Sequence, residues 1–185
     1  MTHVEIECKT RLSKEQAFAL EHTIDHEFPH SHKSNLQTDD WYLCRNNDPS
    51  DTIRIRIQGT QTTVTRKEKK GFPIEINKEI EIIIKQGQQQ TALDFFASLG
   101  YQLTIQKRKK GWQWKEGDLI IEVVEVSSLG WFLEIELLVL PEKASKIEGQ
   151  KTLDQMRKRL GVFHLPLESR YYIHLLQEAE QNYGI

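Results

Sequence analysis

Charged side chains that alternate with apolar ones mark the stretches of this chain most suited to chemistry. They are Glu5, Glu7 and Lys9 in the first stretch, Arg54 and Arg56 in the second, and Glu134 and Glu136 in the third. Successive side chains of a β-strand point to opposite sides, so each set would line one face with neighbours about 7 Å apart. Paired carboxylates suit hard divalent cations such as Mg²⁺ or Mn²⁺, and Arg and Lys suit phosphate oxygens. A metal-bound polyphosphate would satisfy both kinds of group.

The same spacing of two recurs along the rest of the chain, in segments that have the pattern of strands. It recurs at Thr65 and Lys67, at Glu79 and Glu81, at Lys107 and Lys109, and from Glu122 to Val126. A solvated sheet face explains any one of these strands equally well, but the repetition favours a different structure. We predict an α+β fold in which about eight antiparallel strands close into a β-barrel with an ionic interior and helices packed outside.

Several blocks of the sequence resemble the CYTH proteins, also called triphosphate tunnel metalloenzymes, and are closest to the class IV adenylyl cyclases. These blocks are the Glu-x-Glu-x-Lys of residues 5–9, the acidic-aromatic stretch 37–42, Arg54-x-Arg56, Thr65-Arg66-Lys67, the Gly-x-Phe-x-Glu-Ile-Glu of residues 130–136, and the closing segment 170–176. The resemblance covers nearly the whole chain. It implies a closed eight-stranded triphosphate tunnel in one domain that spans residues 1–185.

The chain also departs from the pattern of that family. It has Val124 where an Asp is usual, Asn77 in place of an Arg, Leu43 in place of an acidic residue, and Tyr171 in place of a Ser. Either Glu122 or Glu125 would have to substitute for the Asp. The family has a Lys-x-Arg pair on its sixth strand, and this chain has four basic residues there. Which of them face the tunnel is left open among Lys107, Arg108, Lys109 and Lys110.

Phosphoryl transfer needs charge neutralisation and positioning more than covalent help from the protein, which gives the charged residues their expected roles. The candidate metal ligands are Glu5, Glu7, Glu134 and Glu136, with Glu79, Glu81 and Glu122 as further acidic residues for a second site or for orienting cations. The candidate phosphate-binding residues are Lys9, Arg54, Arg56, Lys67, Lys107 and Lys109. A lysine whose pKa is lowered by neighbouring cations could activate the attacking group, and Lys9 and Lys67 are the candidates for this catalytic role.

The resemblance favours an enzyme that uses Mg²⁺ or Mn²⁺, most closely an adenylyl cyclase that converts ATP to cyclic AMP and pyrophosphate. A hydrolase of inorganic tripolyphosphate or thiamine triphosphate is the first alternative, because it would use the same phosphate-binding groups. A module that binds polyphosphate or nucleotide without turnover is an alternative of another class. The two carboxylate pairs argue against that module, since an anion binder has no need of metal ligands.

The composition favours a protein of the cytoplasm that binds neither nucleic acid nor membrane, and the resemblance implies a small triphosphate as its partner. The net charge is −2 in spite of two basic runs, at residues 66–70 and 107–110, and the mean hydropathy is −0.57. Cys8 and Cys44 have no zinc or disulfide spacing, and no signal-peptide run precedes the first strand, as expected in a reducing compartment. The oligomeric state is left open, with a homodimer among the alternatives.

Four helices are predicted around the barrel. They run from a capping box at Ser13 to about Phe28, from Thr91 to a cap at Gly100, from about Glu142 to Leu160, and from near Glu168 onward. His22 and His26 lie one turn apart on a polar face and are expected to be solvated rather than metal ligands. Trp112 and Trp114 share a strand face, where they either cover the tunnel mouth or pack under a helix.

Overall fold

Eight strands and four helices make up the part of the chain that the computed structural model describes, residues 4–46, 48–70, 75–140 and 146–183. The strands are β1 (Val4–Leu12), β2 (His32–Arg45), β3 (Asp48–Gln58), β4 (Gln61–Lys70), β5 (Glu75–Ile84), β6 (Tyr101–Glu116), β7 (Leu119–Val126) and β8 (Gly130–Val139). The helices are α1 (Lys14–Glu27), α2 (Gln89–Ser98), α3 (Lys146–Arg159) and α4 (Tyr172–Tyr183). None of these described helices has the length and apolar character needed to cross a membrane.

The eight strands pair in a ring, in the order β1, β5, β4, β3, β2, β6, β7 and β8, and the pairing of β8 with β1 closes it. All neighbours are antiparallel, as predicted. β1 pairs with β8 along its whole length, from Val4 opposite Val139 to Leu12 opposite Trp131. Among the described residues, its pairing with β5 is the shortest of the ring and extends from Val4 to Glu7. The first strand therefore lies between β8 and β5, a strand from the middle of the chain.

Outward-facing apolar side chains of four strands form the main core beneath α1 and α3. Ile6 of β1 and Ile135 of β8 are fully buried there, together with Val123 of β7. Helix α1 covers them with Ala17, Leu20 and Ile24, the three residues predicted to repeat on its buried face. Burial of an aliphatic side chain of this size contributes roughly 1.5–3 kcal/mol. This core holds together the strands that carry the carboxylates at positions 5, 7, 134 and 136.

The predicted helix boundaries agree with the structure in part. The capping box at Ser13 is confirmed, because its hydroxyl accepts from the Gln16 backbone and the Gln16 side chain accepts from the Ser13 backbone. Helix α2 begins at Gln89, two residues before the predicted start. Its Phe95 stays exposed, and Phe96 packs against the outer face of the barrel. The predicted start of the third helix, Glu142, lies outside the described residues.

The two neighbouring tryptophans of β6 pack under α1 rather than at a tunnel mouth. Trp114 is buried, and its indole N–H donates to Asp25 Oδ1 at 2.7 Å. Trp112 stacks on Trp131 with ring centroids 5.8 Å apart, and Phe18 of α1 meets Trp112 edge-on. Both rings are therefore part of the outer core.

Helix α4 packs against inward-facing side chains at one end of the barrel, unlike the other three helices, which lie outside. Its Tyr172 and Leu175 pack with Leu36, Val124, Val126 and Phe132, and its Ile173 and Leu176 pack with Cys44 and Ile105. Strand alternation places these barrel residues on the same side as Asp40, Glu122 and Glu134. The interior was predicted to be ionic, and at this end it is apolar instead.

The segment before α4 continues the pairing of β1. Leu167 forms an antiparallel bridge with Thr10, and the Glu168 N–H donates to the Lys9 carbonyl oxygen at 2.7 Å. Arg11 and Arg170 both donate to the Glu168 carboxylate, at 3.0 Å and 2.7 Å. This segment pairs with β1 in the manner of a strand, and the helix begins at Tyr172 and not near Glu168 as predicted.

Candidate active site inside the barrel

The inward faces of the strands enclose a cavity of about 410 Å³. Every residue that the sequence predicted for the site lines this cavity. They are Glu5, Glu7, Lys9, Arg54, Arg56, Lys67, Glu79, Glu81, Lys107, Lys109, Glu122, Glu134 and Glu136. The strand alternation is the physical reason, since it directs every second side chain to the interior. Their roles as metal ligands and phosphate-binding residues remain predictions. The distances between their side chains show which groups interact.

Three carboxylates from the two strands that close the barrel lie together. One oxygen each of Glu7, Glu134 and Glu136 lies within 4.8 Å of the others, because Glu7 is opposite Glu136 in the register of β1 and β8. Burial, and then the negative charge of neighbouring carboxylates, raises the pKa of Glu136 well above its usual value. Oxygen ligands of this kind fit a hard divalent cation, which would relieve their repulsion. The residues present therefore fit the predicted Mg²⁺ or Mn²⁺.

Lys67 of β4 is surrounded by carboxylates. Its Nζ lies 3.1 Å from Glu5, 3.2 Å from Glu7 and 3.1 Å from Glu79. Although burial opposes it, these charges raise the pKa of Lys67 well above its usual value. Lys67 is therefore a fixed cation in this arrangement, and it lacks the lowered pKa that the predicted activating lysine would need. Burial raises the pKa of Glu5 to about 7, while Lys67 acts to lower it.

Asp40 of β2 is fully buried and holds two of the predicted phosphate-binding cations. Arg56 donates to both of its oxygens, at 2.7 Å and 2.9 Å, and Lys107 Nζ lies 3.0 Å from Oδ2. Burial acts to raise the pKa of Asp40, but Lys107 and Arg56 hold it well below its usual range. The acidic-aromatic stretch 37–42 contains Asp40, for which no role was predicted. The alternation with Tyr42, which also faces the cavity, is the signal that could have found it.

The basic run of β6 divides between the two faces of the barrel. Lys107 and Lys109 are buried in the interior, whereas Arg108 and Lys110 point outward and lie near Asp39 and Glu125. Lys109 pairs with Glu122 and lies 3.4 Å from Glu134.

These positions decide both questions that the sequence left open. The inward basic residues are Lys107 and Lys109, and the inward acidic residue of β7 is Glu122. Its Oε1 also accepts from Gln113 at 2.7 Å. Glu125 lies on the outer face.

Arg54 links the remaining carboxylates. It lies 3.6 Å from Glu79 and 3.5 Å from Glu81, and it donates to the Thr65 hydroxyl at 3.2 Å. The Thr65 hydroxyl in turn donates to Glu81 at 2.6 Å. Arg54 and these acidic residues of β5 therefore form a second ionic cluster, which Lys67 connects to Glu7 of the three-carboxylate cluster.

Tyr172 is a site residue that the sequence did not predict, because it comes from a helix rather than from an alternating strand. Its hydroxyl donates to Glu134 Oε1 at 2.8 Å. Lys9 and Lys107 lie over its ring, 4.7 Å and 4.6 Å from the centroid. Burial, and then the charge of Glu134, raises the pKa of Tyr172 well above its usual value. The phenol therefore stays protonated and acts as a donor.

The departures from the family pattern have local explanations in the structure. Asn77 is buried and donates from Nδ2 to Glu7 Oε1 at 3.1 Å, so a neutral amide contacts one of the clustered carboxylates. Val124 belongs to the apolar end beside α4, and Leu43 belongs to the outer core beneath α2. Tyr171 lines the cavity together with Tyr42 and Ile173.

Comparisons with known proteins agree with this architecture. A family model described as CYTH domain matches residues 3–172. No curated protein sequence matches the chain significantly. A conserved hypothetical protein of Pyrococcus furiosus is 26% identical with a TM-score of 0.76, covering 92% of this chain and 99% of its own. The PH1012 protein of Pyrococcus horikoshii is 24% identical with a TM-score of 0.77, covering 92% and 98%.

A third similar structure comes from Hippeastrum and belongs to a candidate adenylyl cyclase, HpAC1, which is described as revealing a dominant triphosphatase activity. It is 14% identical, with a TM-score of 0.64, and the match covers 95% of each chain. At this identity the likeness shows the fold alone.

Proposed function

The chain belongs to the CYTH domain family, and on that premise we propose that it is a metal-dependent enzyme acting on a triphosphate bound inside its barrel. The observation that carries this proposal is the cluster of Glu7, Glu134 and Glu136, set among inward lysines and arginines of the same cavity. These carboxylates would hold Mg²⁺ or Mn²⁺. A bound divalent ion supplies positive charge that stabilises the transferring phosphoryl group.

The balance of charge in the cavity supports a metal-dependent enzyme over a module that only binds anions. Among the residues that the structure describes, seven glutamates and six lysines or arginines line the cavity, and the buried Asp40 adds a further negative charge. The described carboxyl groups therefore outnumber the cationic groups before any ligand binds, and burial and their mutual repulsion raise the pKa of Glu136. A multiply charged triphosphate would be repelled unless cations accompanied it.

The inward lysine and arginine side chains would bind the phosphates. Arg56 and Lys107 are held by Asp40 in fixed positions, and Arg54 is held by Glu79 and Glu81. Guanidinium groups bind phosphate oxygens in a bidentate way, so such positions favour one orientation of the phosphate chain. Positioning and charge stabilisation are the main contributions that a protein makes to phosphoryl transfer.

Within this class we propose an adenylyl cyclase that converts ATP to cyclic AMP and pyrophosphate. Tyr42, Tyr171 and Ile173 line the cavity and pack at the same apolar cluster beside α4. Aromatic and apolar surface of this kind favours a substrate with a ring attached to its triphosphate, because a base can stack there. Inorganic tripolyphosphate would leave this surface unused.

A triphosphatase acting on tripolyphosphate or thiamine triphosphate is the second candidate. The phosphate-binding groups would be the same for both reactions. The Hippeastrum protein with this fold, described as having a dominant triphosphatase activity, is the reason to measure hydrolysis directly.

A product assay separates these candidates. Purified protein with Mg²⁺ or Mn²⁺ is given ATP, tripolyphosphate or thiamine triphosphate, and cyclic AMP, pyrophosphate and orthophosphate are resolved. Cyclic AMP with equimolar pyrophosphate from ATP is the expected result. Orthophosphate as the main product would make the protein a hydrolase. Tight binding without any product would overturn the proposal of an enzyme.

A pair of variants tests the carboxylate cluster itself. Glu134→Gln should lower turnover by orders of magnitude, because the variant loses a charged ligand. Glu125→Gln is the matched control, since Glu125 lies on the outer face of β7 and pairs with Lys110. Equal activities of the two variants would contradict the assignment of the site.

A further inference from the structure

Tyr172 reaches the candidate metal site from helix α4, where its hydroxyl contacts one of the candidate metal ligands. Its hydroxyl donates to Glu134 Oε1 at 2.8 Å, and Lys109 Nζ lies 3.4 Å from the same oxygen. Both contacts use Oε1, so they orient the carboxylate while Oε2 can be offered to a cation. Glu134 is one of the three clustered carboxylates.

We propose that Tyr172 is a positioning residue that orients Glu134 for the divalent metal ion, so that the docking of α4 sets the metal affinity of the barrel. This inference rests on the proposed metal-dependent function. Some groups hydrogen-bond to a metal ligand without contacting the metal themselves. Their removal typically weakens metal binding about 10- to 100-fold. Tyr172 has the geometry of such a group, because its hydroxyl donates a hydrogen bond to the candidate ligand Glu134.

The surroundings fix the phenol tightly enough for this role. Its ring meets Phe132 edge-on with centroids 5.1 Å apart, and the Lys9 and Lys107 ammonium groups lie over the ring. Tyr172 is only 7% exposed, so the hydroxyl is removed from water and needs a partner within the protein. Since the next residues of α4 are packed in the apolar end of the barrel, a shift of the helix would move this hydroxyl away from Glu134.

The test is Mn²⁺ binding to the protein without substrate, measured by titration calorimetry or by the electron paramagnetic resonance of free Mn²⁺. Tyr172→Phe removes the hydroxyl and keeps the ring with its contacts to the lysines. We expect the variant to bind Mn²⁺ about 10-fold or more weakly than the wild type. The apparent metal requirement of the reaction should rise by a similar factor, with a smaller change at saturating metal.

A matched control separates positioning from general loss of stability. Tyr101 is also a buried tyrosine whose hydroxyl donates to a carboxylate, Asp51 Oδ1, at 2.8 Å, and it lies in the core beneath α2. Tyr101→Phe should lower the melting temperature about as much as Tyr172→Phe and leave Mn²⁺ affinity unchanged. Equal Mn²⁺ affinities of Tyr172→Phe and the wild type would overturn this inference and leave the proposed metal dependence intact.

A double-variant cycle tests whether Tyr172 acts through Glu134. In a Glu134→Gln background, Tyr172→Phe should have little further effect on the remaining Mn²⁺ affinity, because its partner is already altered. Two independent, multiplicative losses would show that Tyr172 acts by another route and would overturn the inference. Failure of the wild type itself to bind Mn²⁺ would overturn the proposed metal dependence, and this inference with it.

Discussion

At the scale of single residues, Asp40 shows how one buried carboxylate organises the cations of the cavity. It is fully buried between Arg56 and Lys107, with contacts of 2.7–3.0 Å. Buried ion pairs are weak evidence for stability, but removal of one partner leaves a charge without compensation. The two cations are therefore fixed before any phosphate arrives.

Asp40→Asn should lower the free energy of unfolding by about 3–5 kcal/mol, because Arg56 and Lys107 would lose their counter-charge in the interior. Urea denaturation measures the change. Asp39→Asn on the outer face of the same strand is the control and should stay within about 0.5 kcal/mol of the wild type. Tripolyphosphate should raise the free energy of unfolding of Asp40→Asn by more than it raises that of the wild type. Similar losses in both variants would contradict the role of Asp40.

The residues of the site could be predicted only where strand alternation reports the direction of a side chain. Glu7, Lys67 and Lys109 were found in this way. The same rule could not show which partner each would choose, because the register of the barrel brings Lys67 to Glu5 and Glu79 across three strands. Thus the charges of the site were predictable, whereas the raised pKa of Lys67 among these carboxylates was not.

At the scale of elements, the segment before α4 fixes the helix to the barrel through Glu168. Hydrogen bonds from Arg170, and to a smaller extent from Arg11, lower the pKa of Glu168 to about 2, from 4.5 in the unfolded chain. The stabilisation from an ionised Glu168 is therefore fully present above pH 4.5, and it is lost as the pH falls towards 2.

Glu168→Gln should destabilise the protein at pH 7, by about 1 kcal/mol after allowance for solvent screening. The difference from the wild type should shrink as the pH falls from 4.5 towards 2. Chemical denaturation at pH 7, 4 and 3 measures this difference. Glu180→Gln, on the exposed face of α4, is the control. A difference that stays constant over this pH range would show that ionisation of Glu168 is not the source of its contribution.

The hairpin of β6 and β7 depends on Gly111, which allows the two strands to approach closely. A Cβ at this position would overlap the Val123 carbonyl oxygen and come within 2.8 Å of Val124 Cα. Gly111→Ala should therefore cost about 2–3 kcal/mol, since backbone atoms must move. Gly117→Ala, in the turn of the same hairpin, has open space and should cost only about 1–2 kcal/mol for its positive φ. Thermal melting of both variants measures the order, and the reverse order would contradict this account.

The strands and the helix caps were predictable, whereas the position of α4 was not. Alternation and the Ser13 capping box are local signals, and both agree with the structure. The apolar residues of α4 resemble those of any amphipathic helix, and nothing in their spacing separates packing outside the barrel from packing at its end. That choice depends on Val126, Phe132 and Ile105, which strand alternation directs inward in the same way as the charged residues.

At the scale of the whole molecule, ligand binding should stabilise a barrel in whose interior the described carboxyl groups outnumber the cationic groups. Mg²⁺ or Mn²⁺ together with ATP should raise the free energy of unfolding by about 2.7 kcal/mol at a hundredfold excess over the dissociation constant. ATP with a chelator should give a much smaller shift, because the excess carboxylates repel the free anion. Thermal melting under both conditions measures this. Equal shifts would contradict the metal-linked binding of the triphosphate.

The pairing of β1 with β8 has a consequence for the way the protein is made. The ribosome produces Glu136, the partner of Glu7 across the sheet, about 130 residues after Glu7 itself. Until then β1 lacks one of its two neighbours, and the three clustered carboxylates cannot meet. Pairing between such distant segments also slows folding. The candidate metal site of Glu7, Glu134 and Glu136 therefore forms only when β8 returns to pair with β1.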